Sequence, residues 1–319
     1  MPIPPLPPFS ALPLKKDGPP YNAWGLYGED DELGRLNLIT PEVVQKGIDS
    51  VKHGVVVNLN LPLINELGLP GRGATHEIKV GPRSLDDILH FNTQASSQWD
   101  GLRHFPYQNW PEQGDKRYYG GMTFDEAQDD SHNKLGTQNY VRRPITSRAH
   151  LLDIPLYLSR SSLPPLSYTE NPTPVTLSML KGCVELQGNK IEPGDVLMIR
   201  TGWTEVFEAL STEEKAKWKP EPDVGVERGE EMLRWHWELG VAAVAGDVRA
   251  YEQYPWPKTE LANHEVFLSG WGMPIGELFD FRELSKKCHE LEQWTFLVTS
   301  MVLNVHAGIA SPPNAQAIL

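Results

Sequence analysis

Cysteine is scarce in this chain. Only Cys183 and Cys288 occur among 319 residues. Two cysteines form at most one bridge, and no Cys-x-x-Cys pair is present, so the sequence offers neither a disulfide framework nor a dithiol redox motif. The first residues, 1–16, are rich in proline and lack the apolar core of a secretory signal. These features predict a reducing, cytoplasmic environment.

Long apolar runs and positive charge are also missing. No run of about eighteen apolar residues occurs, so the sequence predicts no membrane-spanning helix and no membrane partner. The 29 lysines and arginines are outnumbered by 42 aspartates and glutamates, which gives a net charge of −13. A surface of this sign repels phosphate backbones, which argues against nucleic acid. A small molecule is therefore the predicted partner.

Several widespread catalytic signatures are absent as well. There is no Gly-x-Ser-x-Gly, so a nucleophile elbow is excluded, and there is no Walker loop. The stretch GLPGRG at 68–73 has the wrong glycine spacing for a dinucleotide site. HEVFL at 264–268 lacks the second histidine of a zinc protease. Few standard chemistries remain after these exclusions.

The chain does contain interleaved helix and strand patterns. Thr40 as a cap and Pro41 at the first turn predict a helix that ends at Gly54. A second helix is predicted before Gly240, and a capping box joins Ser211 to Glu214. Strands are predicted at 55–63, 148–153, 196–201, 241–247 and 294–305. The elements do not follow regular βαβ units, so we expect one α/β domain with a mixed sheet.

Two further segments stand apart from this pattern. Residues 1–23 are predicted to form a proline-rich arm, followed by one domain over 24–319. The polar, irregular segment 108–135 is predicted to be a lid or an oligomer contact. The stretch 263–281 predicts a helical turn followed by a glycine-rich loop that carries Glu277.

Four ionisable residues together suggest a metal site. Asp100 and His104 lie in FNTQASSQWDGLRHF at 91–105, and His264 and Glu277 flank a glycine-containing stretch downstream. Aspartate, two histidines and glutamate are ligands that suit Zn²⁺, Mn²⁺ or Fe²⁺. Any single histidine is more often an ordinary hydrogen-bonded residue, so the spacing alone leaves both interpretations open.

The stretch at 91–105 resembles a signature of the cyclase family of metal-dependent hydrolases, which includes kynurenine formamidase and isatin hydrolase. That signature reads His-x-Gly-Thr-His-x-Asp-x-Pro-x-His. Asp100 and His104 match it in spacing, whereas the first two histidines are replaced by Gln94 and Gln98, and the proline by Leu102. The exchanges leave the fold resemblance intact and alter the predicted chemistry.

Other segments carry the same resemblance from about residue 24 to the end: DDELGRLNLITPEVV, IEPGDVLMIRTGW, NHEVFLSGWGMPIGE and GIASPPNAQAIL. The resemblance implies a partly barrel-like mixed sheet flanked by helices, the swivelling β/β/α fold of kynurenine formamidase. It also implies a homodimer or a homotetramer.

The resemblance implies two ion positions, of which this chain keeps one. Gln94, Gln98 and Asp100 occupy the first position, and an amide oxygen is a weak, neutral ligand. Asp100, His104, His264 and Glu277 occupy the second position, which is complete. We therefore expect one divalent ion, Mn²⁺ or Zn²⁺, with Gln98 either as a weak extra ligand or as a hydrogen-bond partner of bound water or substrate, and with Gln94 beside the ligands or the substrate.

The remaining roles follow from this ligand set. The ion would activate water and polarise a substrate carbonyl, and His104 or Glu277 would carry the proton. Nearby side chains are predicted to contact the substrate, although each has an ordinary packing or pairing role as its alternative: Trp99, Arg103, Tyr107, Trp203 and Asp247.

Three functions fit these residues. The first is hydrolysis of a small cyclic or aryl amide, lactam, lactone or ester. The second is a metal-assisted cyclase or dehydratase, because the same ion can stabilise an enolate. The third is a catalytically silent homologue that keeps only a ligand pocket. The fold does not decide among them.

Overall fold

A mixed β-sheet of nine strands organises the chain, with strand order β1-β11-β9-β5-β6-β7-β8-β4-β10, and a separate hairpin pairs β2 with β3. The computed structural model describes residues 5–65, 67, 71–169, 171–218, 223–255 and 260–319. The strands are β1 Val56–Asn58, β2 Ala74–Val80, β3 Leu85–Phe91, β4 Gln98–Asp100, β5 Ile145–Asp153, β6 Val196–Arg200, β7 Ala243–Gly246, β8 Ile275–Glu277, β9 Thr295–Ser300, β10 Ala310–Ser311 and β11 Ala315–Ile318.

The strands β5 to β8 run parallel to one another, and the remaining pairs are antiparallel. The sheet curls into a half-barrel with helices around it, which confirms the predicted single α/β domain.

The α-helices are α1 Pro41–Asp49, α2 Phe124–Gln128, α3 Gln138–Arg142, α4 Ile154–Arg160, α5 Leu177–Gln187, α6 Trp203–Ala209, α7 Thr212–Lys217, α8 Glu230–Leu239 and α9 Arg282–Leu291. Short 3₁₀ turns occur at Phe9–Ala11, Gly34–Leu38 and Tyr119–Gly121, and a π-helical turn at Glu265–Gly270.

The predicted caps are confirmed. The Thr40 hydroxyl accepts a hydrogen bond from the Val43 amide at 3.3 Å, and Pro41 begins α1. Ser211 and Glu214 form the capping box of α7. Gly240 ends α8 in the left-handed conformation at φ 71°, where glycine has no steric penalty. Helix α1 ends at Asp49, five residues before the predicted stop.

Two predicted strands are shorter than their apolar runs. The run at 55–63 forms a strand only over Val56–Asn58. The strand β9 ends at Ser300 because both neighbours stop there: Ser300 pairs with Ile145 at one end of β5 and with Ala315 at one end of β11. Side chains of the following segment, such as Met301 and Leu303, are exposed.

Both faces of the sheet are buried. On β6, Leu197 and Ile199 belong to one apolar cluster, while Val196 and Met198 belong to a second cluster on the opposite face. This burial on two sides explains the continuous apolar sequence of the parallel strands. Ile275 of β8 lies on the same side as Leu197, which we call the Leu197 face.

The hairpin of β2 and β3 extends from the body with exposed side chains along both strands. Apolar residues on it are exposed, including Val80 at 82% and Leu85 at 68%. No strand was predicted for this hairpin from the sequence. Its side chains are almost all exposed, so its sequence carries no pattern of buried apolar residues. The pairing of the two strands continues at the base of the hairpin, where the Asn92 amide donates to the Gly73 carbonyl at 3.0 Å.

The described part of the predicted N-terminal arm lies against the body. Phe9 is buried, and the Trp237 indole donates to the Pro7 carbonyl at 2.7 Å. No described helix combines the length and the apolar character needed to cross a bilayer. The arm boundary at residue 23, the homodimer or homotetramer, and the cytoplasmic location remain predictions.

The buried His236 on α8 should make stability depend on pH. Its Nδ1 donates to the Met232 carbonyl and its Nε2 accepts from the Tyr251 hydroxyl, both at 2.9 Å, because a carbonyl can only accept. Burial lowers the pKa of His236 from 6.5 to about 4, against the opposing effect of the Met232 bond.

The sign of this effect follows from proton linkage. The unfolded chain takes up the His236 proton near pH 6.5, whereas the folded chain does so only near pH 4. Stability from the neutral imidazole is therefore complete above pH 6.5 and is lost as the pH falls, by about 3 kcal/mol in total. Urea unfolding of the wild type and His236→Phe between pH 7 and 4 should show a shallower loss in the variant; parallel curves would contradict this.

Candidate metal centre

The pairing of β4 with β8 positions the first site residues. Gln98 is directly opposite Glu277, and Asp100 is opposite Ile275, so all of these side chains point to the Leu197 face. Trp99 is opposite Gly276 and points to the other face. A Cβ at Gly276 would lie only 3.0 Å from the Trp99 ring, so glycine is required for this close packing. Glu277 is thus a strand residue, which corrects the predicted loop.

Three buried residues converge on this face. Ligand atoms of Asp100, His264 and Glu277 lie within 4.8 Å of one another. His264 precedes the π-helical turn and places Nε2 3.1 Å from Glu277 Oε1 and 3.7 Å from Asp100 Oδ2. The sheet and the turn thereby bring together three of the predicted ligands, which are far apart in sequence.

A third carboxylate, Glu252, contacts the Nδ1 side of the His264 ring, whereas Asp100 and Glu277 lie on the Nε2 side. Its Oε2 lies 2.5 Å from His264 Nδ1, and its Oε1 accepts the His264 backbone amide at 3.0 Å. Glu252 is fully buried, and the sequence analysis missed it. The one available sign was its place shortly after a buried strand, in the loop that follows β7.

The two glutamines are hydrogen-bond donors within the site. Gln94 Nε2 donates to Asp100 Oδ1, and Gln98 Nε2 donates to Glu277 Oε2 at 2.8 Å. Gln98 Nε2 and Arg72 Nη1 both donate to Gln94 Oε1 at 3.1 Å. Arg72 was also missed by the sequence analysis, because it comes from the base of the unpredicted hairpin.

The charges of the cluster shift its pKa values. Burial opposes charge on His264, but Glu252, Asp100 and Glu277 hold its pKa well above the ordinary value. Burial raises the pKa of Glu277, and the charge of Asp100 raises it further. Burial acts in the same sense on Asp100, but His104 and His264 outweigh it and keep that pKa low. Three carboxylates around one imidazole thus form a strongly negative centre.

The donor set fits a divalent cation. Among the described residues, Gln98 Oε1 and Asp100 Oδ2 are buried oxygens without a hydrogen-bond partner. Such acceptors carry a desolvation cost unless a cation or donor compensates them. Two carboxylates, an imidazole and an amide oxygen are ligands for Mn²⁺ or Zn²⁺. Asp100, His264, Glu277 and Gln98 therefore suit a metal ion.

His104 lies at the edge of this cluster. Its Nε2 is 3.8 Å from Asp100 Oδ2, and its side chain is 19% exposed, whereas that of Asp100 is fully buried. Burial lowers the pKa of His104, which Asp100 partly offsets. His104 also lines a cavity of about 430 Å³ beside the cluster. His104 Nε2 is thus about as close to Asp100 Oδ2 as His264 Nε2 is, at 3.7 Å, and His104 borders both the cluster and the cavity.

The predicted substrate contacts lie in different places. Trp99 donates to Ser300 Oγ at 2.9 Å and packs against Phe279 in the core. The Tyr107 hydroxyl donates to the Pro20 carbonyl at 2.7 Å. Trp203 stacks on Phe207. The structure therefore surrounds these three aromatic residues with packing partners away from the cluster.

Asp247 and Arg103 bind backbone groups. Asp247 accepts the amides of Thr201 and Gly202, each at 2.8 Å, and so holds the turn after β6. Arg103 donates to the carbonyls of Glu126 and Asp129, at 3.0 and 2.9 Å. Of the six predicted contacts, Gln94 reaches the cluster and Arg103 lines the adjacent cavity.

A family model described as "Putative cyclase" matches residues 23–253. The chain belongs to the cyclase family. Its fold is similar to that of a crystal structure described as a novel cyclase, with 28% identity, a TM-score of 0.81, and coverage of 94% of this chain and 100% of the other. Membership places the chain among enzymes of the cyclase and hydrolase group.

Two further solved structures of lower identity share the fold of this cyclase-family chain. Isatin hydrolase A from Ralstonia solanacearum is 14% identical, with a TM-score of 0.56 and coverage of 87% and 97% of the two chains. Isatin hydrolase A from Labrenzia aggregata, bound to benzyl benzoate, is 11% identical, with a TM-score of 0.55 and coverage of 85% and 94%. No curated protein matches the chain.

Replacing Glu252 with glutamine tests its role behind His264. Glutamine keeps an oxygen that can accept the His264 backbone amide, but it removes the negative charge of the carboxylate beside His264 Nδ1. We expect the affinity for Mn²⁺ to fall about 10- to 100-fold, because such partners orient a ligand histidine and raise its basicity. Equilibrium dialysis measures this change. Glu265→Gln is the matched control, since Glu265 is buried and accepts the Gln108 amide at 2.8 Å outside the cluster. Equal affinities in both variants would contradict the role.

Proposed function

We propose that this cyclase-family chain is a metal-dependent hydrolase of a small cyclic or aryl amide, lactam, lactone or ester. The observation that supports it most is the convergence of Asp100, His264 and Glu277, together with two buried oxygens, Asp100 Oδ2 and Gln98 Oε1, that accept no hydrogen bond within the described ranges. The cavity beside His104 offers a place for the substrate.

The residues divide into ligands and a proton carrier. Asp100, His264 and Glu277 would hold the ion, with Gln98 Oε1 as a further neutral donor. When bound, a divalent ion supplies Lewis-acid chemistry for the water and for the substrate carbonyl. Glu252 keeps the His264 ring in place, and the amides of Gln94 and Gln98 each satisfy one carboxylate oxygen, so that the ligand atoms are fixed before the ion arrives.

His104 is the proposed proton carrier, because its imidazole lies between the cluster and the cavity. It takes a proton from the attacking water as the water oxygen bonds to the carbonyl carbon. It then returns that proton to the nitrogen or oxygen that leaves as the carbon–heteroatom bond breaks. Glu277, the other predicted carrier, is buried. It accepts hydrogen bonds from the Gln98 side chain and from the Tyr251 amide, the latter at 3.1 Å.

Metal content and product mass test this proposal. Purified protein dialysed against Mn²⁺ or Zn²⁺ should hold about one equivalent. Isatin, formanilide and phenyl acetate are suitable lactam, amide and ester probes, and a hydrolysed product gains the mass of one water. A product without that gain would indicate the cyclase or dehydratase function. Metal content under about a tenth of an equivalent would contradict both enzymatic functions.

A further inference from the structure

The cavity beside His104 has a distinct lining. It combines two aromatic side chains with small and branched apolar ones, while two carboxylates lie at its exposed side. These residues are Tyr118, Phe124, Ala127, Ile309, Asp129 and Asp130. A volume of about 430 Å³ is within the range of small-ligand pockets.

The one guanidinium in the cavity wall is committed to the backbone. Arg103 is 2% exposed and donates to three carbonyls, those of Glu126, Asp129 and Ala307. These bonds tie the end of α2 to the segment before β10. Both Nη2 protons are used, so Arg103 cannot offer a substrate carboxylate the two parallel bonds that make such pairs strong. This geometry argues against the predicted pairing of Arg103 with a substrate carboxylate.

One polar group in the wall remains open to a ligand. The Tyr118 hydroxyl makes no hydrogen bond within the described part of the chain, although Tyr118 is 4% exposed and lines the cavity. Polar groups of such buried side chains normally have a partner, so this hydroxyl points to an acceptor, such as a carbonyl oxygen, on a bound molecule.

The carboxylates set the charge of the cavity. Asp129 and Asp130 are exposed at its edge, and Asp129 accepts the Ser131 amide at 2.8 Å, which orients its side chain. Lys116 lies over the Phe124 ring at 4.0 Å and is not part of the lining. The cavity lining therefore contains two carboxylates and one guanidinium, and the guanidinium is already hydrogen-bonded to backbone carbonyls.

We infer that this cavity binds the ring of an aromatic or cyclic substrate that is neutral or cationic, and that it disfavours a substrate carrying a carboxylate. The inference rests on the proposed function, because it names the substrate class of the same site. The ring packs between Tyr118 and Phe124, its carbonyl points to the cluster, and a cationic substituent reaches Asp129 and Asp130.

Three matched ketones test binding separately from catalysis: acetophenone, 3-(trimethylammonio)acetophenone and 3-acetylbenzoate. They cannot be hydrolysed and differ in one charge. Calorimetry on the Mn²⁺-loaded protein at low salt should show the cation binding about fivefold tighter than the carboxylate, as expected for partly exposed charges. The difference should shrink at high salt. Tighter binding of 3-acetylbenzoate, or no binding of any ketone, would overturn the inference.

The double variant Asp129→Asn with Asp130→Asn should remove the preference for the cation. Asparagine at 129 keeps an acceptor for the Ser131 amide, so the turn is preserved. Glu213→Gln with Glu238→Gln makes the same change in net charge at residues outside the cavity, and it should keep the preference. An unchanged preference in the first pair would overturn the role of these carboxylates.

The corresponding acetate esters separate the two proposals. If the ketones show the expected order but phenyl acetate, 3-(trimethylammonio)phenyl acetate and 3-acetoxybenzoate are all untouched, hydrolysis fails and the binding inference stands. If the esters are hydrolysed without a preference for the cation, the inference fails and the proposed function stands.

Discussion

Replacing Asp100 with asparagine is expected to abolish metal binding and to lower kcat/KM by about a thousandfold or more, as for the loss of several kcal/mol of stabilisation. Asp100 Oδ1 accepts the Gln94 amide, whereas Oδ2 accepts no hydrogen bond from the described residues and has the imidazoles of His264 and His104 at 3.7 and 3.8 Å. Asparagine can keep its oxygen toward Gln94 only by turning its NH₂ group toward the ion. A hydrogen-bond donor at that position repels a cation, so the loss of metal affinity is larger than the loss expected from removing one negative charge.

Stability should behave differently from activity in this variant. The charge of Asp100 raises the pKa of Glu277, which shows that the two carboxylates repel each other without an ion. Asparagine keeps the shape, relieves this repulsion and also removes the attraction of Asp100 to His104 and His264, so the two effects on stability oppose each other. We therefore expect the unfolding free energy of the metal-free protein to stay within about 1 kcal/mol of the wild type.

Elemental analysis, hydrolysis of the most reactive probe and urea unfolding measure the three quantities for Asp100→Asn. Glu265→Gln is again a suitable control, because it removes a buried carboxylate next to His264 in sequence but outside the cluster. The control should keep metal and activity. An Asp100→Asn protein with full metal content and full activity would show that the ion lies elsewhere.

Three of the residues that converge in the candidate site could be named from the sequence, because they lie in stretches that resemble motifs of the cyclase family. Asp100 and His104 lie in one local stretch, and His264 and Glu277 occupy a second family-like segment. The caps and the parallel strands were also predictable, since they depend on local bonds and on continuous apolar runs. The strand at Glu277 was not, because three residues become a strand only through the partner β4.

The missed residues share a physical cause. Glu252 and Arg72 have unremarkable sequence surroundings, and their importance arises from contacts with His264 and Gln94 that only the folded chain creates. Trp99 was predicted to contact the substrate because it is next to Gln98 and Asp100 in sequence. Successive side chains along β4 point to opposite faces of the sheet, so Trp99 points away from the cluster.

We propose that the two glutamines take the place of the ligands of a first ion. In the family pattern, two histidines and the aspartate would hold that ion. Here the Gln94 and Gln98 amides donate to Asp100 and Glu277, and Arg72 donates to Gln94. Two amide donors and one guanidinium thus compensate the carboxylates where a divalent cation would otherwise do so. Arg72 adds a fixed positive charge that opposes a cation beside Gln94.

Restoring the histidines should therefore recruit a second ion, and Arg72 should limit its affinity. Gln94→His with Gln98→His provides two imidazole ligands beside Asp100, which suits Zn²⁺. We expect the bound metal to rise from about one to about two equivalents, with the second bound about tenfold more tightly when Arg72→Gln is added. Zinc titration with equilibrium dialysis measures both quantities, and Arg72→Gln alone is the control that should stay at one equivalent. If both histidine variants stop at one equivalent, the glutamines do not determine how many ions bind, and the hydrogen bonds around Asp100 have another role.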